Sequence, residues 1–95
     1  MKFTTLINFT EHGVKNVAET IGRAETFREH AKKSGIEISE MLWLSGRYDG
    51  LLVFEAPDVE TAAASMLKLA SDGNVKTETL PSFNAAQMQE VITRM

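Results

Sequence analysis

Residues Phe3–Phe9 alternate: Phe3, Thr5, Ile7 and Phe9 fall on one side, Thr4, Leu6 and Asn8 on the other. A period of two in a stretch rich in Phe, Thr and Ile predicts a strand. After Thr10-Glu11-His12-Gly13, which reads as a loop, the apolar spacing changes to three and four. Val14, Val17, Ile21, Ala24, Phe27 and Ala31 then form one helical stripe, expected to be buried. Gly22 interrupts that stripe, at a cost of roughly 1 kcal/mol relative to Ala. An irregular turn over Val14–Glu19 is therefore expected, with Thr20 as a cap and firm helix from about Ile21 to Ser34. Lys32 and Lys33 suit the negative helix end, and Gly35 suits a left-handed stop.

Two apolar runs, Ile36–Ser45 and Leu51–Ala56, flank Gly46-Arg47-Tyr48-Asp49-Gly50. Glycines supplying positive φ and an Asp able to bond its own backbone predict a hairpin turn. A two- or four-residue turn sets Leu44 opposite Leu51, Trp43 opposite Leu52, Leu42 opposite Val53 and Met41 opposite Phe54. Apolar pairs then occupy both faces of the hairpin. The same register sets Glu40 against Glu55, which requires a nearby base, solvation or a shared proton.

Pro57-Asp58 ends the second run and caps a helix whose expected buried face is Val59, Ala62, Ala63, Met66, Leu67, Leu69 and Ala70. Asp72-Gly73-Asn74 stops it, and Val75–Leu80 alternates again as a strand. Pro81-Ser82 breaks the chain. Asn84 and Gln87 have capping-box spacing, and Phe83 with Met88 fits a hydrophobic staple. The short helix that follows carries Ala85, Met88, Ile92 and Met95 as a stripe, which must dock on its own chain or on a partner.

The element order is strand, helix, strand, strand, helix, strand, with one further helix. It predicts an α+β, ferredoxin-like βαββαβ fold with an antiparallel sheet in the order 4-1-3-2. Residues 1–95 form one domain in this reading. Two helices cover only one face of such a sheet. The bare apolar face exceeds what a soluble monomer usually exposes, so a second copy packed sheet against sheet in an isologous dimer is expected.

Composition removes several functions. The chain has no cysteine, only two histidines, His12 and His30, and a net charge of −3 with acids and bases interspersed. Thiolate and histidine-rich metal sites are thereby excluded, and no metal or other cofactor is expected. The acidic balance argues against nucleic acid, as does the absence of stacking aromatics from Leu51-Leu52-Val53-Phe54. No stretch reads as a membrane span or as the apolar core of a secretory leader, so a soluble cytoplasmic protein is expected. No phosphate-cradling glycine loop and no Ser or Cys nucleophile signature occurs.

Gly46-Arg47-Tyr48-Asp49-Gly50 running into Leu51–Ala56-Pro57-Asp58 resembles the GYD domain family. The resemblance extends to Leu6-Ile7-Asn8-Phe9-Thr10 with Gly13 and Lys15-Asn16. It takes in Arg23-Ala24-Glu25 with Phe27, and Asn74–Leu80 with Phe83, so it spans nearly the whole chain. It implies a dimeric α/β barrel of the ferredoxin-like group, and it implies no assigned activity.

The candidate ligand-binding residues are Asn8, His12, Trp43, Tyr48 and Asp49. Tyr48 and Asp49 could orient a polar group or act as acid and base, although closing the turn accounts for them more simply. His12 is a possible general base, and a solvated loop histidine is the plainer reading. Trp43 lines an apolar pocket or anchors the dimer, the second reading being slightly favoured. Asn8, if buried beside Leu6, requires partners that a ligand would supply. His30 is read as structural. Three functions follow: a homodimer binding a small apolar molecule, a cofactor-independent isomerase or oxygenase, or an assembly unit without ligand. The first is preferred.

Overall fold

The computed structural model describes residues 1–95. Strand β1 (Lys2–Phe9) leads into a short helix α1 (Glu11–Lys15), a 3₁₀ turn (Val17–Glu19) and helix α2 (Thr20–Lys33). Strands β2 (Glu37–Trp43) and β3 (Gly50–Glu55) follow, then helix α3 (Val59–Ser71), strand β4 (Val75–Pro81) and helix α4 (Ala85–Thr93). The four strands form one antiparallel sheet in the order β2-β3-β1-β4, the order expected from the chain pattern read from its other edge.

The core lies between one face of this sheet and helices α2 and α3. Phe3, Leu52 and Phe54 project from the central strands onto Ala31, Ala62 and Met66, with Ile36 and Ala56 closing the edges. The rings of Phe3 and Phe54 stack with centroids 5.5 Å apart. Thr5 is fully buried on the same face. Its Oγ1 lies 2.8 Å from Thr79 Oγ1 and 3.2 Å from Met66 Sδ. With the Thr79 hydroxyl donating to Thr5, the Thr5 proton is left for the thioether, so the buried oxygen is satisfied.

Helix starts follow their caps. The Asp58 carboxylate accepts the Thr61 N–H at 2.7 Å and starts α3. Asn84 and Gln87 form a reciprocal capping box that starts α4. Gly35, at φ +83°, ends α2 as expected. Thr10 accepts the Gly13 N–H at 3.0 Å and so starts α1, turning the expected loop around His12 into a helical turn. Thr20 does not cap α2. Glu19 occupies that position without a side-chain bond, and the Thr20 hydroxyl serves Trp43 instead.

Both expected helical stripes are shorter than their periodicity suggests. In the first, Ala31 is buried and Ala24 and Phe27 partly so, whereas Val14 and Ile21 are 57% and 64% exposed. In the second, Ala62 and Met66 are buried, and Val59, Ala63 and Leu67 face water. Spacing groups residues onto one face without stating how far a neighbouring layer extends.

The hairpin register also differs from expectation. Leu44 N–H donates to Asp49 O at 2.9 Å and closes a four-residue loop over Ser45–Tyr48. Trp43 therefore faces Gly50, Leu42 faces Leu51 and Met41 faces Leu52. This is a slip of two residues, which keeps each side chain on its expected face. An irregularity at Ser39 then shifts the pairing by one more, setting Glu37, not Glu40, opposite Glu55. Glu40 faces Val53, so no Glu40–Glu55 proton-sharing pair forms. Glu55 instead meets the amine of Met1 at 3.4 Å and Lys2 Nζ at 3.6 Å.

Two predictions test this architecture. A Cβ on Gly13 would lie 1.9 Å from the backbone oxygen of Asn74, whereas one on Gly22 meets nothing within 4 Å. Gly13→Ala should cost about 1–3 kcal/mol. Gly22→Ala should add about 0.5–1 kcal/mol, because it restricts the unfolded chain without a clash. Urea melts of the two variants would disagree with the packing if they moved the same way. The second concerns acid. Hydrogen bonds from Thr61, first its side chain and then its backbone N–H, hold the Asp58 carboxyl below its ordinary 3.8. A lowered folded value means the cap stabilises above pH 3.8 and is lost as pH falls through the folded value. Asp58→Asn keeps an acceptor and removes the titration, so urea midpoints between about pH 5 and pH 2 should fall less steeply than in the parent.

Candidate functional site

Bulky side chains on the sheet meet small ones on α2, and a half-open cleft of about 820 Å³ remains between them. Its floor is Ile7, Met41 and Leu52, with Phe9 at the end of β1. Phe27 of α2 and Leu69 of α3 form opposite walls. On the α2 side Ala18, Gly22 and Ala24 leave the space unfilled, while Val14, Val17 and Ile21 project outward. The outward turn of these three residues has the same cause as the incomplete burial of the first stripe: the entry to α2 stands off the sheet.

Trp43, the only tryptophan, stands at the mouth. Its Nε1–H donates to Thr20 Oγ1 at 3.2 Å, so the indole spans from the end of β2 to the first turn of α2. It therefore lies on the helix-covered side of the sheet. That position fits the pocket-lining reading of Trp43 better than an anchor on the open face.

Asp49 also lines the cleft. Its Oδ2 accepts the Phe9 N–H at 2.8 Å, and its own N–H donates to Ile7 O at 2.8 Å. One residue thus holds the hairpin loop against the end of β1. Tyr48 does not share the site. Its half-buried ring lies 5.6 Å from the Arg47 guanidinium and is not part of the cleft lining. Asn8 lies on the opposite face of the sheet, paired across to Lys76. His12 is exposed on α1, with Nε2 3.4 Å from Asn16 Nδ2. The fold thus brings together two of the five residues singled out from the sequence, Trp43 and Asp49.

Residues not singled out as site candidates also reach the cleft. Arg23, Phe27 and His30 line one side of α2, and Lys68 and Asp72 come from α3 and its C-terminal end. Arg23 Nη1 donates to Asn16 O at 2.8 Å, which straps the 3₁₀ turn to the helix. His30, in the last turn of α2, is an exposed member of the wall. The signal for these three was present: positions 23, 27 and 30 are spaced i, i+4 and i+7, one helix face. No cluster of three or more His, Cys, Asp or Glu side chains has the geometry of a metal site.

The Asp49 contact generates a direct test. Asp49→Ala strips the Phe9 N–H of its acceptor and should cost about 1–3 kcal/mol. Asp49→Asn keeps an acceptor oxygen and should lose well under half of that. A thermal melt in which Asp49→Ala matched the parent would remove the carboxylate from its structural role.

Residues 3–92 match the family described as GYD domain. A protein of Thermus thermophilus is 31% identical over 87 residues, which cover 90% of this chain and 92% of that protein. It is named "Glutamine synthetase and cystathionine beta-lyase binding protein". With the match extending from β1 into α4, the chain belongs to the GYD domain family.

Proposed function

We propose that this protein is a homodimeric binding protein that takes a small apolar molecule in the cleft between its sheet and helices. The observation that carries the reading is the cleft itself. Its volume of about 820 Å³ lies within the roughly 300–1,000 Å³ of small-molecule sites, and aromatic and aliphatic side chains line most of it. An unfilled interior of that size weighs against a pure assembly unit. The carboxylate of Asp49, at the sheet end of the cleft, is engaged by a backbone N–H, and Tyr48 stands outside the lining. Binding is therefore favoured over isomerase or oxygenase chemistry.

The second copy belongs to the same reading. The face of the sheet away from α2 and α3 carries Leu6, Leu42, Leu51, Val53 and Leu80. Lys2, Glu40, Glu55, Lys76 and Glu78 surround them. An apolar centre with a charged rim is the anatomy of a protein interface. Packing two such faces together would give the dimeric α/β barrel of the ferredoxin-like group, in a cytoplasmic setting. No helix of the chain is long and apolar enough to cross a membrane. The name of the Thermus relative favours one addition: that the dimer also binds enzymes, with the cleft ligand setting how well it does so.

Trp43 gives a built-in reporter. Titration with 1-anilinonaphthalene-8-sulfonate should quench its emission saturably, and Ala24→Phe, which narrows the α2 wall, should weaken that binding at least tenfold. Equal binding by Ala24→Phe would take the probe out of the cleft and leave the reading without support. In sedimentation the protein should run at twice the mass of one chain. Leu42→Asp, at a residue already 49% exposed and so tolerated by the fold, should dissociate it. A wild-type monomer at all concentrations would end the dimer reading.

A further inference from the structure

Helix α4 has the features of an element built to be covered, yet its own chain does not cover it. It spans nine residues, Ala85–Thr93, and none of them is buried. An isolated helix of that length is marginal in water, even with a good capping box. Its apolar residues Met88, Val91 and Ile92, together with Met95 just past its end and Phe83 before the cap, all face solvent. The spacing of three, one and three gathers these four on one side.

The body of the molecule records the same fact as shape. A compact chain of this length has a radius of gyration near about 12 Å, and this one has 14.2 Å, with a longest extent of 47 Å. The excess is that of an arm.

The departure point of the arm gives its direction. Ser82 N–H donates to Lys2 O at 2.9 Å, and Ser82 Oγ lies 2.6 Å from Thr4 Oγ1. Thr4 is on the open face of the sheet, in register with Val53 and Leu80. The chain is thus fastened on the open side before α4 begins.

The available area identifies the occupant. Leu42 and Leu80 on the sheet and Leu44 just past the end of β2, with Phe83, Met88, Val91 and Ile92 on the arm, are each between 38% and 55% exposed. Sheet and arm together offer more of the roughly 800 Å² per partner that a stable interface buries than either surface offers alone. Both are present on every copy, so a two-fold axis lets each copy supply an arm and receive one.

We infer that α4 is an exchanged arm, which closes with its Met88–Ile92 side on the open sheet side of a second copy of this chain. This rests on the homodimer reading above and adds to it that the sheet contact is incomplete without the arm. The arm then makes dimerisation and the folding of residues 85–93 one coupled event.

Amide hydrogen exchange, measured above and below the concentration at which the dimer dissociates, tests this. The amides of residues 85–93 should be protected at least a hundredfold in the dimer and lose that protection on dilution, while β1 and β3 stay protected throughout. Ile92→Asp with Met88→Asp should weaken the dimer at least tenfold, with the thermal melt of the diluted monomer unchanged. A dimer whose α4 amides exchange freely would overturn the arm and spare the sheet dimer. Protection of α4 that survives dilution would place the helix on its own chain and overturn the arm as well. A wild-type protein that never dimerises would end both readings.

Discussion

A sheet has two faces, and a chain of 95 residues in βαββαβ order covers one of them. Most of what distinguishes this molecule follows from that shortage. The helix-covered face receives the aromatic residues Phe3 and Phe54 and the fully buried Thr5, where the stacked rings and the Thr79–Thr5–Met66 chain of contacts leave little room to shift. The other face receives leucine and valine, each worth roughly 1.5–3 kcal/mol when fully removed from water. Water leaves that contribution only partly realised, and a partner would complete it.

The covered side is itself unevenly filled, for a separate reason. The segment between β1 and α2 is held by local contacts: Thr10 on Gly13, Gly13 against Asn74, and Arg23 on Asn16. These fix a short helix and a 3₁₀ turn where a longer α2 would otherwise lie down on the sheet. The small residues Ala18, Gly22 and Ala24 then face the apolar floor without reaching it. The cleft is a consequence of how the chain enters α2. Its mouth is bounded by the Trp43–Thr20 bond and its sheet end by the Asp49–Phe9 bond. Both contacts use side chains that also line the space.

The architecture was legible because each strand declared itself locally. Phe3–Phe9 and Val75–Leu80 alternate, and glycines bracket the hairpin. Register was not legible, because Leu42, Leu44, Leu51 and Val53 are interchangeable as cross-strand neighbours, and a slip of two residues keeps every face. The choice fell to the Leu44–Asp49 closure, and Asp49 is held there by its bonds to Ile7 and Phe9 of β1, a strand distant in sequence. The shift at Ser39 has no signature that periodicity could carry. Of the site, Trp43 and Asp49 were visible as unusual residues in an apolar hairpin. Asn8 was chosen for sharing the face of Leu6, which proves to be the open face, and His12 for following β1, where the fold makes it part of α1. The Arg23, Phe27 and His30 face was present in the spacing, but Phe27 was read as core and His30 as structural.

The two unfilled regions lie on opposite sides of one four-stranded layer, and that arrangement constrains how they could communicate. Side chains alternate along β1 and β3, so Ile7 and Leu52 touch the cleft while Leu6 and Val53 sit on the open face one residue away. A ligand that pushed on the floor of the cleft would act on the backbone that carries the open face, with no intervening element to absorb the shift. Asp49 joins the same backbone at the end of the hairpin. A close-packed sheet transmits such a displacement and does not damp it. A molecule bound on the helix side, were one to bind there, would lie one strand's thickness from the open face.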